Sequence, residues 1–325
     1  MIDSKRPILQ VRDLEVSFAT EGGVVRAADR VSFDLHPGRT LGLVGESGCG
    51  KSVTALALLR LVPPPGRIVG GEVLFEGFNL AGTKETTLDR VRGRRIAMIF
   101  QEPMTALNPV LTVGDQIAEV LRVHFNRAKP EALSAAVDML ARVGIPDAPA
   151  RAKSYPHQLS GGMRQRAMIA MALICRPDVL IADEPTTALD VTVQAQIIDL
   201  MLRLQQDMGT AILFISHDLG VISEIADDVM VMYAGRVVER SPAESLFGAP
   251  LHPYTIGLME TLPRLDGRPG RLPAVPGTVP DLRNLPSGCR YSDRCPLADE
   301  ACRDRDPDLR PAGAGRSVAC LKVAP

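Results

Sequence analysis

The chain has 325 residues, 46% of them hydrophobic, with a formal net charge of −1. That is enough apolar material for a large core, and it leaves no basic excess. With no Trp and 4% aromatic residues, the chain lacks the positive, stacking surface of a dedicated nucleic-acid binder, so no nucleic-acid partner is expected.

No apolar run reaches the length of a bilayer span; the longest stops at Arg176-Pro177. Residues 1–7 have no hydrophobic signal region behind their charges. The expectation is a protein kept in the cytosol that meets a membrane through partners.

Residues 8–18 alternate through Ile8, Leu9, Val11, Leu14, Val16 and Phe18 and predict a strand. A second strand is predicted over 31–35, followed by a His36-Pro37-Gly38 turn. The apolar strand 40–44 leads straight into Gly45-Glu46-Ser47-Gly48-Cys49-Gly50-Lys51-Ser52, and a helix over 53–61 beginning at Val53 follows. This loop fits G-x-x-x-x-G-K-[ST] in the strand-to-helix context that gives the pattern its meaning. Its glycines let backbone N–H groups face phosphate oxygens, Lys51 can reach the β- and γ-phosphates of ATP, and the Ser52 hydroxyl can bind Mg²⁺.

Strands over 71–75 and 96–100 come next, the second ending at Gln101. The pattern then turns helical: Thr112-Val113-Gly114-Asp115 resembles a capping box, Pro130 can open the next helix and Gly144 can close it. At Ser160-Gly161-Gly162 another helix begins with unpaired N–H groups and a positive dipole end, a second anion grip.

The strand 179–182 ends in Asp183-Glu184. Asp183 would hold Mg²⁺ and Glu184 would polarise the attacking water. Gln101 is placed to sense Mg²⁺ or that water, and His217, after the strand 211–215, to contact the γ-phosphate. Strand ends of a parallel sheet converge on one crevice. From about residue 241 the texture changes: half of the 26 prolines lie beyond it, and one helix, 254–262, is expected there among loops. Such a segment has little core of its own and needs a staple. Cys289, Cys295, Cys302 and Cys320 supply four thiols for tetrahedral Zn²⁺ or a [4Fe–4S] cluster. No Cys-x2-4-Cys knuckle is present, and the wide spacing leans towards the cluster.

Together the phosphate loop, Gln101, the run Leu159-Ser160-Gly161-Gly162-Met163-Arg164-Gln165-Arg166, Asp183-Glu184, Ala188-Leu189-Asp190 and His217 resemble, in order and spacing, the ATP-binding subunits of ABC transporters. The resemblance implies an α/β P-loop NTPase core with an antiparallel β subdomain, over residues 1–240, into which a helical subdomain of about 102–165 is inserted. It also implies a head-to-tail dimer, with Ser160, Gly161 and Gly162 of one copy meeting nucleotide bound at Lys51 of the other. Asp190 would lie at the dimer seam, and Phe18 would stack on adenine without the hydroxyl of the more usual Tyr.

The irregular, Cys-rich stretch 241–325 narrows this further. His252-Pro253-Tyr254-Thr255, Pro276-Gly277-Thr278-Val279-Pro280, Gly288-Cys289-Arg290-Tyr291 and Arg294-Cys295-Pro296-Leu297 resemble the C-terminal extension of oligopeptide and dipeptide permease ATPases, as does Tyr155-Pro156-His157-Gln158. In some members that tail is associated with a [4Fe–4S] cluster. The implied protein is a peripheral ATPase on the cytoplasmic face of the membrane. It would work with a second ATPase subunit (itself or a paralogue), two membrane-spanning permease subunits and an extracytoplasmic solute-binding protein. Residues 102–109 are the expected contact for the permease subunits. Importers of nickel, glutathione or sugars, and a soluble ABC ATPase outside transport, are the alternatives.

Overall fold

The computed structural model describes residues 6–101, 106–187, 189–262 and 275–323. In chain order the elements are β1 (Leu9–Thr20), β2 (Gly23–Leu35), β3 (Thr40–Val44), α1 (Lys51–Leu58), β4 (Gly66–Phe75), β5 (Phe78–Asn79), α2 (Glu85–Val91) and β6 (Ile96–Ile99). Then come α3 (Val113–Phe125), α4 (Lys129–Arg142), α5 (Ala148–Ala152), α6 (Gly161–Leu173), β7 (Val179–Asp183), α7 (Val191–Met208) and β8 (Ala211–Ile215). The last are α8 (Leu219–Ile225), β9 (Asp228–Tyr233), β10 (Arg236–Pro242), α9 (Ala243–Gly248), α10 (Pro253–Glu260), α11 (Glu300–Asp304), β11 (Arg310–Pro311) and β12 (Ser317–Val318). They fall into two compact units.

One unit comprises Leu9–Asp34, Thr40–Ala81 and Phe214–Pro325. It holds an antiparallel sheet in the order β2-β1-β4-β5. β4 starts earlier than its apolar run suggests, because Gly70-Gly71 sits inside the strand: β1 pairs with it from Leu9↔Phe75 to Phe18↔Gly66, with a register shift near Glu15. In the same unit β3 pairs in parallel with β9, and β9 pairs antiparallel with β10. β3 is buried at every position, which explains its unbroken apolar run.

The extension is more structured than one helix among loops. α9, α10 and α11 form within it, and β12 adds to β10 through Glu239↔Val318 and Arg240↔Ser317. Strands of two residues have no periodicity to read, so they leave no trace in the sequence.

The other unit comprises Met1–Ile8, Leu35–Arg39 and Gly82–Leu213. Here β6 and β7 run parallel, from Ile96↔Val179 to Ile99↔Ala182. α3, α4, α5 and α6 pack on one another as a helical group. Thr112 caps α3 as its spacing suggests: its side chain accepts from the Asp115 N–H at 3.2 Å and donates to the Asp115 carboxylate at 2.7 Å. Gly144 follows α4 at φ 78°.

Candidate active site

The phosphate loop lies between β3 and α1. Gly45 has φ 151° and Gly50 φ 105°, conformations closed to residues with a Cβ. Space forbids one as well: a Cβ would come within 2.3 Å of the Met232 carbonyl at Gly45 and 2.0 Å of the Ala27 carbonyl at Gly50. α1 starts at Gly50 with no side-chain cap, so the loop offers backbone N–H groups at a helix N-terminus.

Lys51 is buried, and its ammonium donates to the carbonyls of Gly45 at 2.7 Å and Glu46 at 3.1 Å. The loop thus curls around its own cation. Cys49 behind it is fully buried, which pushes its thiol up and keeps it neutral despite Lys51. Ser52 and Val53, the next residues of α1, are half-buried.

In the other unit, β7 carries Asp183, buried at the strand end, and delivers the chain to Glu184. Glu184 adopts φ 47°, a left-handed conformation uncommon for a residue with a side chain. One of its oxygens, Oε2, accepts from Gln101 Nε2 at 3.1 Å and from the Thr187 hydroxyl at 2.9 Å. The structure therefore brings Gln101 and Glu184 together, 83 residues apart in sequence. Thr187 escaped the reading of the sequence; its one signal is the i+3 spacing from Glu184, which lets a turn return the hydroxyl to the carboxylate.

Ser160 caps α6, its hydroxyl accepting from the Met163 N–H at 3.3 Å. Gly161 is exposed and a Cβ there would meet nothing within 4 Å, so the helix start is open on that side. Asp190 caps α7 in the same manner, accepting from Val193 N–H at 2.9 Å. Of the Ala188-Leu189-Asp190 run, Ala188 lies outside the described residues, as do residues 102–105 of the expected permease contact.

Two family models match the chain: one described as ABC transporter over residues 28–187, the other as oligopeptide/dipeptide transporter, C-terminal region, over 238–302. A probable peptide ABC transporter ATP-binding protein of Sinorhizobium fredii, y4tR, is 54% identical over 317 residues, covering 97% of this chain and 95% of its own. The oligopeptide transport ATP-binding protein OppD of Salmonella typhimurium is 51% identical over 315 residues, covering 97% and 93%. This chain belongs to the ATP-binding subunits of ABC transporters.

Solved cassettes of that class share the fold. A dimeric structure of the bacterial cassette MJ0796 superposes with a TM-score of 0.66 at 24% identity, covering 72% of this chain and 98% of that one. For cbiO1 from Clostridium perfringens the TM-score is 0.64 at 25% identity, covering 75% and 92%. As an ABC ATP-binding subunit of the oligopeptide/dipeptide branch, the protein is an ATPase.

The remaining residues expected of an ABC subunit occupy the unit that holds the phosphate loop. His217 is exposed on the turn after β8, which Ser216 and Asp218 fix: the Ser216 hydroxyl accepts from Asp218 N–H at 2.9 Å, and Asp218 caps α8. Phe18 is half-buried near the end of β1, and Gly66 opposite leaves room for its ring, since a Cβ there would lie 2.5 Å away.

Cys289, Cys295, Cys302 and Cys320 gather around one small cavity with His252, Tyr291 and Lys322. None of the four is in a disulfide, and burial pushes the Cys289 thiol up to about 11. Cys320 lies beyond the matched C-terminal region, yet the fold returns it to the other three. Among the described residues, no three His, Cys, Asp or Glu side chains form a group that could hold a metal ion.

Proposed function

We propose that this subunit hydrolyses ATP to drive a membrane importer of oligopeptides or dipeptides. The observation that carries the hydrolytic part is the Glu184 carboxylate, held at the end of β7 by Gln101 and Thr187. A carboxylate so fixed is suited to accept a proton from water. In this reading Asp190 lies at the dimer seam, His217 contacts the γ-phosphate and Phe18 stacks on adenine.

The oxygen donors Ser52, Gln101 and Asp183 suit a hard cation, and they would hold Mg²⁺, which neutralises phosphate charge. In this reading two copies, or one copy and a paralogue, associate head to tail. The open N-terminus of α6, with Ser160, Gly161 and Gly162, then grips the nucleotide seated on the partner's phosphate loop. Residues 1–240 act as the ATP-binding domain, with the helical insertion about 102–165, and 241–325 as the extension.

Support for peptide transport comes from the match of the extension over 238–302 and from relatives named for peptide import. Among the described residues no helix is long and apolar enough to cross a membrane, which accords with peripheral attachment to two permease subunits at the cytoplasmic face. An extracytoplasmic binding protein delivers the solute. The test is reconstitution with those subunits: peptide-loaded binding protein should stimulate ATP turnover, whereas stimulation by nickel, glutathione or a sugar in its place would redirect the substrate.

The four cysteines are proposed to hold a [4Fe–4S] cluster as a staple for the extension. Their all-sulfur donor set around one cavity supports this. Anaerobically purified protein should absorb in the blue and contain iron. Colourless protein with one zinc per chain would overturn the assignment.

A further inference from the structure

The phosphate loop is gripped from behind by the C-terminal extension. Arg294 and Glu46, 248 residues apart, form a two-pronged ion pair: Nη1 donates to Glu46 Oε2 at 2.7 Å and Nη2 to Oε1 at 3.0 Å. The Arg294 side chain is only 4% exposed. It is itself held in place, donating through Nε to the Pro276 carbonyl at 2.6 Å and through Nη2 to the Val275 carbonyl at 3.3 Å. Its guanidinium also lies over the rings of Tyr233 and Tyr291, at 5.7 and 5.9 Å.

A second contact reaches the same loop residue. The hydroxyl of Tyr254, a fully buried residue of α10, accepts from the Glu46 N–H at 2.9 Å. Glu46 is therefore fixed by side chain and by backbone, from two separate segments of the extension. Its carbonyl in turn receives Lys51 Nζ at 3.1 Å. Arginine, glutamate and the phosphate-binding lysine stand in one continuous line of polar contacts.

A glycine-rich loop is intrinsically mobile, and ordering it on binding costs conformational entropy. A planar, multidentate guanidinium that is already immobilised can supply that order in advance. We propose that Arg294, with Tyr254, is a positioning residue for nucleotide binding: the extension braces Glu46 so that the phosphate loop is set for ATP before ATP arrives. The C-terminal extension would thus be part of the nucleotide site as well as a mark of the transporter branch. The proposal rests on the phosphate loop being the ATP site.

The test uses the full chain and a fluorescent ATP analogue, with KM and kcat for ATP and the unfolding temperature measured alongside. Lys51→Ala in the same assay checks the ATP site independently of the brace. Arg294→Met keeps the apolar stem against the tyrosines and removes the ion pair. Glu46→Ala removes it from the loop side; because it also leaves the buried Arg294 guanidinium without its counter-charge, its unfolding temperature is read beside its KM. Each should weaken nucleotide binding about tenfold and raise KM in step, with kcat within about twofold. The double variant should be no worse than the more affected single variant, since both break one interaction. Unchanged nucleotide affinity in both single variants, or losses that add in the double variant, would overturn the proposal. A lowered unfolding temperature with KM unmoved counts against it equally, because that is what a purely structural pair would give.

Discussion

At the scale of single residues, the site is built by holding charged atoms still. The left-handed backbone at Glu184 turns the chain sharply after β7. Gln101 and Thr187 then fix one carboxylate oxygen from two sides. Thr187 is exposed, so replacing it should cost little folding stability. Thr187→Val should lower kcat about tenfold with KM for ATP nearly unchanged, because the lost hydrogen bond orients the proposed base, Glu184. Steady-state kinetics checks this: an unaltered kcat would show that Gln101 alone orients Glu184.

At the scale of elements, helix starts carry the chemistry. α1 leaves its N-terminus uncapped towards the phosphate loop, whereas α6 is capped by Ser160 through Met163 N–H. Ser160→Arg removes that cap and fills the open side at Gly161. The cap is worth about 1 kcal/mol, so the monomer should remain folded and bind ATP normally. Hydrolysis should be abolished, because the proposed partner nucleotide could no longer dock. Equilibrium binding and turnover, measured on the same preparation, separate the two effects; retained turnover would place the grip elsewhere.

Much at this scale was legible in the sequence because each signal is local. Gly45, Gly50 and Lys51 fall within a short loop, and Thr112 lies three residues from the Asp115 N–H it caps. The antiparallel β sheet, the helical insertion and the parallel strands likewise announce themselves by period and punctuation. The contacts that were not legible are those that fold brings from afar. Arg294 and Glu46 have no shared pattern, and β12 is too short to alternate. The sequence of the extension predicts mostly loop for the same reason: its order comes from pairing with β10 and from buried tyrosines rather than from its own periodicity.

At the scale of the whole molecule, the extension is tied to the rest of its own unit, which carries the phosphate loop, by charge as well as by packing. Asp29 of β2 is 3% exposed and receives Arg236 at 3.0 Å, and also Arg290 of the extension. Burial pushes the Asp29 carboxyl up, but Arg290 and Arg236 outweigh it and hold it below the usual range. A depressed folded-state pKa means that this contribution is present above the unfolded value of 3.8 and fades as pH falls through the folded value. Asp29→Asn, which leaves Arg236 and Arg290 to share the Asp306 carboxylate, should destabilise the fold at neutral pH by about 3 kcal/mol, the low end for a broken buried pair. The deficit should shrink in acid, where the native carboxylate is itself neutralised. Urea unfolding at two pH values tests both statements; a loss that does not depend on pH would mean packing, not charge, ties the extension down.

The central claim is that Glu184 activates the water in an ATP site completed by a second copy or a paralogue. Glu184→Gln keeps the shape and the contacts to Gln101 and Thr187 while removing the base. ATP turnover and the oligomeric state in ATP with Mg²⁺ should therefore be measured on this one variant. The account predicts turnover lower by roughly 10²–10⁴-fold, with ATP retained and a dimer stable enough to isolate. Normal turnover by that variant would contradict it.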